Sequence, residues 1–206
     1  MTETGMNTSN PYDGDRMAGT VGFPLPDVAL RIVDETTGRP VVEGEIGVIE
    51  VKGPNVCAGY WRNPEKTAEA FRDDGYFITG DLGVRDARGY VTIVGRGKDL
   101  IISGGLNVYP KEVEAEIDAI PGVVESAVIG LPHADLGEAV TAVVAVGAAP
   151  SSLSEADVLS ALASRLARFK QPKLVIFVAD LPRNAMAKVQ KAALREAYKS
   201  AFLNAS

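Results

Sequence analysis

The chain has 206 residues, of which 46% are apolar and 23% are charged, a balance that is ordinary for a folded globular protein. Its net charge of -6 gives no electrostatic support for a nucleic-acid partner. The single cysteine, Cys57, excludes an internal disulfide framework and favours a reducing, cytoplasmic location. With one cysteine and one histidine, the chain has too few of the usual ligands for a structural zinc site. No apolar run approaches the roughly 20 residues of a membrane span, and the N-terminus lacks a signal-peptide pattern.

The first part of the chain is predicted to be β-rich. Residues 1–20 are polar and rich in Gly, Asn and Asp, which indicates a loop. Short apolar runs follow at 29–33 and 47–51, and the segment 35–40 between them has turn chemistry. Strands at this spacing, joined by short turns, predict a small antiparallel barrel or sandwich.

A helix and a hairpin are predicted next. Asn63 is a suitable N-cap, the proline after it suits the first helical position, and Gly75 is expected to end the helix. Residues 76–78 and 89–94 are then predicted to pair as strands around the turn at 85–89.

Beyond residue 99 the pattern alternates between strands and helices. The predicted helices are 110–117, with its acidic side chains facing water, 154–166 and 189–202. The predicted strands are 123–129 and 139–146, both expected to be buried, and a third at 174–178. This alternation predicts a compact α+β domain of about 110 residues. We place the boundary at the short charged segment 96–98, which has the character of a hinge and separates a β-rich part, 1–95, from the α+β part, 99–206.

Two charged residues flanked by glycine are the first candidates for a binding site. Asp81 lies in Ile-Thr-Gly-Asp, and Arg96 lies in Gly-Arg-Gly-Lys at the end of the predicted hairpin. A carboxylate accepts hydrogen bonds from two ribose hydroxyls, and a guanidinium donates to ribose or phosphate oxygens. The structural alternative is a turn aspartate that satisfies nearby backbone amides.

A third segment, Leu-Pro-Arg-Asn-Ala-Met-Ala-Lys at 181–188, completes an ordered set of motifs. The set resembles the adenylate-forming acyl-CoA synthetase family, and the resemblance covers nearly the whole chain. It implies an α+β fold in which 1–95 is the β-rich end of the large adenylation domain and 99–206 is a smaller, mobile C-terminal domain.

The resemblance implies roles for residues of the first part. Asp81 would bind both ribose hydroxyls of ATP, and Arg96 would contact the nucleotide. Thr2 and Glu3 match the last two positions of the family motif Tyr-Gly-x-Thr-Glu, which implies a phosphate contact by Thr2 and Mg²⁺ binding by Glu3. Without that match, the start of the chain is interpreted as a frayed terminus.

The resemblance also implies roles around the boundary. Lys98 corresponds to the hinge, and Gly104 and Gly105 lead into a strand that lies along the pantetheine arm of CoA in the family's second conformation. Glycines allow a backbone to approach a ligand closely. The structural alternative is a simple hairpin exit with a surface Lys–Asp pair.

Lys188 is the candidate catalytic residue. The family pattern is Pro-x-x-x-x-Gly-Lys, and this chain has Pro182 and Lys188 at the right spacing but Ala187 where glycine is usual. If that position has a positive φ, the alanine is strained by about 1 kcal/mol. The alternative is an exposed lysine at a helix start. His133 and Cys57 are interpreted as structural residues.

Within the family, residues 1–16 and 196–199 are most similar to malonyl-CoA synthetases. This resemblance implies a ligase that joins malonate to CoA through an acyl-adenylate, releasing AMP and pyrophosphate. The alternatives are another acid, a carrier-protein acceptor, or a non-catalytic C-terminal module. The chain has no Ser/Thr/Gly-rich phosphate loop ending in lysine, so we expect it to need an N-terminal part of the same enzyme and to be inactive alone.

Overall fold

A computed structural model describes residues 1–147 and 153–202. The chain divides into two compact units, Met1–Lys98 and Asp99–Ser206. Helices and sheets are mixed, as the fold class predicted from the sequence requires. Across the described ranges, no helix combines the length and apolar character needed to cross a membrane.

The first unit is built on antiparallel strands. Its elements are β1 (Thr8–Ser9), β2 (Phe23–Pro24), β3 (Ala29–Val33), β4 (Gly47–Lys52), α1 (Pro64–Ala70), β5 (Phe77–Arg85) and β6 (Val91–Arg96). The strands β3-β4-β5-β6 form one sheet in that order, and β1 pairs with β2. The predicted antiparallel pairing is therefore present, as an open four-stranded sheet with β3 and β6 at its ends.

Alternation along β4 separates an apolar face from a charged face. Ile49 and Val51 belong to the apolar core of this unit, whereas Glu50 between them points to the other face. There its buried carboxylate pairs with Arg31 Nε at 2.8 Å and Arg72 Nε at 2.7 Å. Arg31 is the cross-strand partner of Glu50, so the sheet register brings these charges together.

Helix α1 begins as the sequence predicts but ends earlier. The Asn63 side chain accepts a hydrogen bond from the amide three residues later, and a proline occupies the first turn. The helix stops at Ala70 and not at Gly75, because Phe71 is extended and forms a bridge with Phe77. The two rings lie 5.3 Å apart, so packing against the sheet ends the helix.

The second unit is an α+β arrangement around one central strand. Its elements are β7 (Ile101–Ser103), β8 (Leu106–Val108), α2 (Pro110–Asp118), β9 (Glu125–His133), β10 (Gly137–Ala145), α3 (Glu155–Ala163), β11 (Leu174–Val178) and α4 (Lys191–Tyr198). Strand β10 pairs antiparallel with β9 and parallel with β11. The β7–β8 hairpin joins β10 through the pair Ser103–Gly137.

Strand β10 is almost entirely apolar from Ala139 to Ala145 because both of its faces are buried there. Val140, Ala142 and Val144 pack into one core cluster with residues of α2 and α3. Val143 and Ala145 pack into a second cluster, which includes Leu194 of α4. The buried strand predicted from the continuous apolar run is therefore present.

Several sequence predictions in this unit differ from the structure, among them the strand at 123–129, which is β9 at Glu125–His133. Helix α3 ends at Ala163, before the predicted 166, and α4 is shorter at both ends than the predicted 189–202. Glu114 of α2 does not face water: its carboxylate accepts a hydrogen bond from the Val128 amide at 2.9 Å and pairs with Lys191. Both partners are distant in sequence, so local helical periodicity did not reveal this burial.

Candidate functional site

The first unit brings Asp81 and Arg96 together across two paired strands. Asp81 lies within β5, Arg96 is the last residue of β6, and the two are cross-strand partners. Arg96 Nε lies 2.7 Å from Asp81 Oδ1. The prediction that Asp81 sits in a glycine turn is wrong, because Gly80 kinks a continuous strand with a φ of 70°.

Thr79 organises this pair, a contribution that the sequence analysis did not identify. Its hydroxyl donates to the Ile49 carbonyl on the neighbouring strand at 2.7 Å. The same hydroxyl accepts from the Asp81 amide at 3.1 Å, and the Thr79 carbonyl accepts from Arg96 Nη1 at 3.4 Å. The position of threonine, two residues before the aspartate, was the available signal for such a local hydroxyl–amide contact.

The Asp81 carboxyl group is largely buried, which alters its ionisation. Its side chain is only 15% exposed, whereas that of Arg96 is 44% exposed. Burial raises the pKa of the Asp81 carboxyl above its usual value, while Arg96 and the Met1 amine act in the opposite direction. A carboxylate held in this way is a strong acceptor for hydroxyl donors such as those of a ribose.

The residues at the start of the chain fold back onto the same unit. The Glu3 carbonyl accepts from the Cys57 amide at 2.8 Å, and its carboxylate accepts from the Tyr60 hydroxyl at 3.3 Å. Burial, followed by the charge of Glu3, raises the pKa of Tyr60. Thr2 is exposed.

Glu3 fits a magnesium ion only as one ligand among several. Within residues 1–147 and 153–202, no three His, Cys, Asp or Glu side chains are grouped to hold a metal. Mg²⁺ in phosphate-transfer sites is commonly held by one or two carboxylates together with substrate phosphates and water. The single carboxylate of Glu3 is compatible with that mode and not with an all-protein cage.

Lys98 lies in a short segment between two anchored residues. Gly97–Asp99 forms a 3₁₀ turn in which Lys98 is exposed. Asp99 belongs to the second unit, where its carboxylate pairs with Arg195 of α4 at 2.8 Å. Lys98 therefore lies directly between the side-chain anchors at Arg96 and Asp99.

Gly104 and Gly105 form the two-residue turn of the β7–β8 hairpin. Their φ values are 58° and 78°, the left-handed geometry of a type I′ turn. A methyl group on Gly105 would meet nothing within 4 Å, so this glycine is required by backbone conformation and leaves an open approach. Ile102 and Leu106 on either side are about half exposed.

Lys188 is exposed and lies on a compact loop of the second unit, just before α4. Its amide donates to the Asn184 side-chain oxygen at 3.0 Å. No partner for its ammonium group is found among the described residues. Ala187, at the position where glycine is usual in the family, has a left-handed φ of 59°.

The two remaining candidates have structural contacts. The His133 ring packs 5.3 Å from that of Phe202, and its Nδ1 accepts from the Asp135 amide at 3.2 Å. Cys57 is a half-buried free thiol whose amide holds the start of the chain. These contacts agree with the structural interpretation of both residues.

Comparisons with known proteins identify the class. The family model for AMP-binding enzymes matches residues 1–61, and that for the AMP-binding enzyme C-terminal domain matches residues 112–188. The chain therefore belongs to the AMP-binding enzyme family, the adenylate-forming enzymes that include the acyl-CoA synthetases.

Individual relatives are similar over most of the chain. ATP-bound MatB from Rhodopseudomonas palustris is 65% identical, with a TM-score of 0.93 over 98% of this chain and 40% of that one. The indoleacetate–CoA ligase of Aromatoleum aromaticum is 42% identical over 90% of this chain. The sulfoacetate–CoA ligase of Cupriavidus necator is 41% identical over 93% of this chain. The chain spans only 36% and 37% of these two ligases.

The left-handed alanine yields a prediction about stability. Ala187→Gly removes a backbone penalty of about 1 kcal/mol, so we expect the second unit to become more stable by up to that amount. Ala185→Gly is the matched control, because Ala185 is in the same loop without a positive φ. It should instead destabilise the unit by roughly 0.5–1 kcal/mol. Urea unfolding of the three chains measures both effects, and equal shifts in the two variants would contradict the prediction.

Proposed function

We propose that this chain is the C-terminal part of an ATP-dependent acid–CoA ligase that converts malonate, ATP and CoA to malonyl-CoA, AMP and pyrophosphate. The supporting observation is the 65% identity to MatB, a malonyl-CoA synthetase, over 98% of the chain. The indoleacetate–CoA and sulfoacetate–CoA ligases match this chain at the lower identities of 42% and 41%, so another acid is the second candidate.

In the proposed first step, the substrate carboxylate attacks the α-phosphate of ATP and pyrophosphate leaves. Asp81 accepts from the ribose hydroxyls, Arg96 donates to the nucleotide, and Thr2 donates to a phosphate oxygen. Glu3 would hold Mg²⁺, which would supply positive charge to neutralise the phosphates. Lys188 stabilises the charge that develops on the α-phosphate, as a mobile point charge at the end of a long side chain.

In the proposed second step, the CoA thiol attacks the acyl-adenylate carbonyl and AMP leaves. The second unit rotates about Lys98 so that Lys188 withdraws and the Gly104–Gly105 turn closes on the pantetheine arm. The left-handed turn supports this role because the space beside Gly105 is open. Alternation of this kind allows one site to perform two reactions.

The proposal makes the chain dependent on an upstream part of the same enzyme. The 206 residues contain no Ser/Thr/Gly-rich loop ending in lysine to hold the β- and γ-phosphates. We therefore propose that the chain does not turn over alone, and that it works in the cytoplasm, where a reduced Cys57 is expected.

Lys188→Ala in the full-length ligase tests the catalytic lysine. We expect adenylation to fall by roughly 10²–10³-fold, because a charge aimed at the transition state is lost. Thioester formation from preformed acyl-adenylate should be unchanged. Pyrophosphate exchange and single-turnover CoA transfer measure the two steps, and an equal loss in both would refute this role.

Lys98→Pro tests the hinge. Proline fixes φ near -65°, so rotation should be blocked and the thioester step lost while adenylation is spared. Lys98→Ala is the matched control, since it removes the charge but keeps backbone freedom, and it should support both steps. Loss of adenylation in the proline variant would argue against a hinge at this residue.

Substrate choice is tested by pyrophosphate release from the full-length ligase with ATP, Mg²⁺ and CoA. We expect malonate to be preferred over acetate, methylmalonate and a medium-chain acid. Preference for another acid would support the proposed ligase function and contradict malonate as its substrate. Replacing CoA with a carrier protein as the acceptor tests whether the enzyme loads a carrier protein instead. If no acid causes pyrophosphate release, a non-catalytic module is favoured.

A further inference from the structure

Asn184 makes several hydrogen bonds that close the loop carrying Lys188. Asn184 Oδ1 accepts hydrogen bonds from the amides of both Met186 and Lys188, each at 3.0 Å. The Asn184 backbone also closes the loop, because its amide donates to the Lys188 carbonyl at 3.0 Å and its carbonyl accepts from the Ala187 amide at 2.9 Å. The backbone of Lys188 is thus held from both sides by one residue.

An arginine fastens this closed turn to the sheet. Arg183 Nη1 donates to the Ala187 carbonyl at 2.7 Å, and its Nη2 pairs with the Glu125 carboxylate at the start of β9. The planar guanidinium can make these two contacts at once because its donors form a rigid fork. Hydrogen bonding to Glu125 raises the pKa of Arg183, so this guanidinium keeps its positive charge.

These contacts surround a residue whose backbone conformation is unfavourable. Ala187 is in the left-handed region at a φ of 59°, which an alanine does not prefer. It directly precedes Lys188, so a return of Ala187 to an ordinary φ would redirect the lysine. The bonds from Asn184 and Arg183 to either side of Ala187 keep it in this conformation.

We propose that Asn184 and Arg183 are positioning residues that aim Lys188 for adenylation. The inference rests on the proposed role of Lys188, and neither residue needs to touch a substrate. In a member of the family with glycine before the lysine, the left-handed conformation needs less support. In this chain, alanine makes the two side chains essential.

Half-reactions of the full-length ligase test the proposal. Asn184→Ala should lower adenylation by about a hundredfold, the effect of misplacing a reacting group by roughly 1 Å. Thioester formation from preformed acyl-adenylate should be unchanged, which a general folding defect would not allow. Arg183→Met should act in the same direction, and Ala187→Gly in the Asn184→Ala background should recover part of the loss.

Arg165→Ala is the matched control. Arg165 is an exposed arginine of the same unit, paired with Glu116 at 3.6 Å and remote from the loop in sequence. Both half-reactions should be unchanged in this variant.

The loop itself supplies an activity-independent readout in the 206-residue chain. Asn184→Ala should accelerate amide exchange at Met186 and Lys188 and speed tryptic cleavage after Lys188. Asn184→Asp retains the acceptor oxygen and should restore slow exchange. Wild-type exchange in Asn184→Ala would overturn the inference.

Parallel measurement of Lys188→Ala separates the two hypotheses. If Lys188→Ala abolishes adenylation while Asn184→Ala and Arg183→Met leave it intact, the positioning inference fails and the proposed function stands. If Lys188→Ala leaves adenylation intact, the proposed role of the lysine fails first.

Discussion

The pairing of β5 with β6 is the constraint on which the candidate nucleotide site depends. Its register places Asp81 opposite Arg96, so a carboxylate and a guanidinium meet at 2.7 Å on a rigid sheet. Gly80 bends the strand and the Thr79 hydroxyl ties it to β4, which keeps the carboxylate mostly buried. Because the sheet register fixes both side chains on neighbouring strands, the geometry of the pair is preorganised.

The same strand register also fixes one end of the segment that connects the two units. Arg96 is tied to the first unit by Asp81, and Asp99 is tied to the second by Arg195. Only Gly97 and Lys98 lie between these ion pairs. A hinge works through a few residues that absorb large backbone changes, and a two-residue segment between fixed ends is what the proposed rotation about Lys98 needs.

The second unit presents its candidate residues on turns rather than on strands. The doubly buried β10 supplies a stable scaffold, and the Gly104–Gly105 turn and the Lys188 loop project from elements around it. Both use left-handed backbone, but by different means. Glycine adopts it freely in the hairpin, whereas Ala187 is held there by hydrogen bonds from Asn184 and Arg183 to the loop.

Much of the fold was predictable because local patterns govern backbone conformation. The capping residue Asn63, the apolar run of β10 and the glycine-flanked motifs correctly indicated a helix start, a buried strand and the family. Predictions failed where residues distant in sequence determine a helix end or the burial of a side chain. Phe71 leaves its helix to pair with Phe77, and Glu114 is buried by Val128 and Lys191.

The amino-acid sequence by itself determined the element types, the two-part organisation of its patterns and the set of charged residues available for chemistry. Only the tertiary structure decided which of those charges meet. Asp81 finds Arg96 through sheet register, Arg183 finds Glu125 across the second unit, and Ala187 is left-handed because its neighbours hold it there. The physical reason is that propensity acts within a few residues, whereas an ion pair or a strained turn is stabilised by groups that only folding brings together.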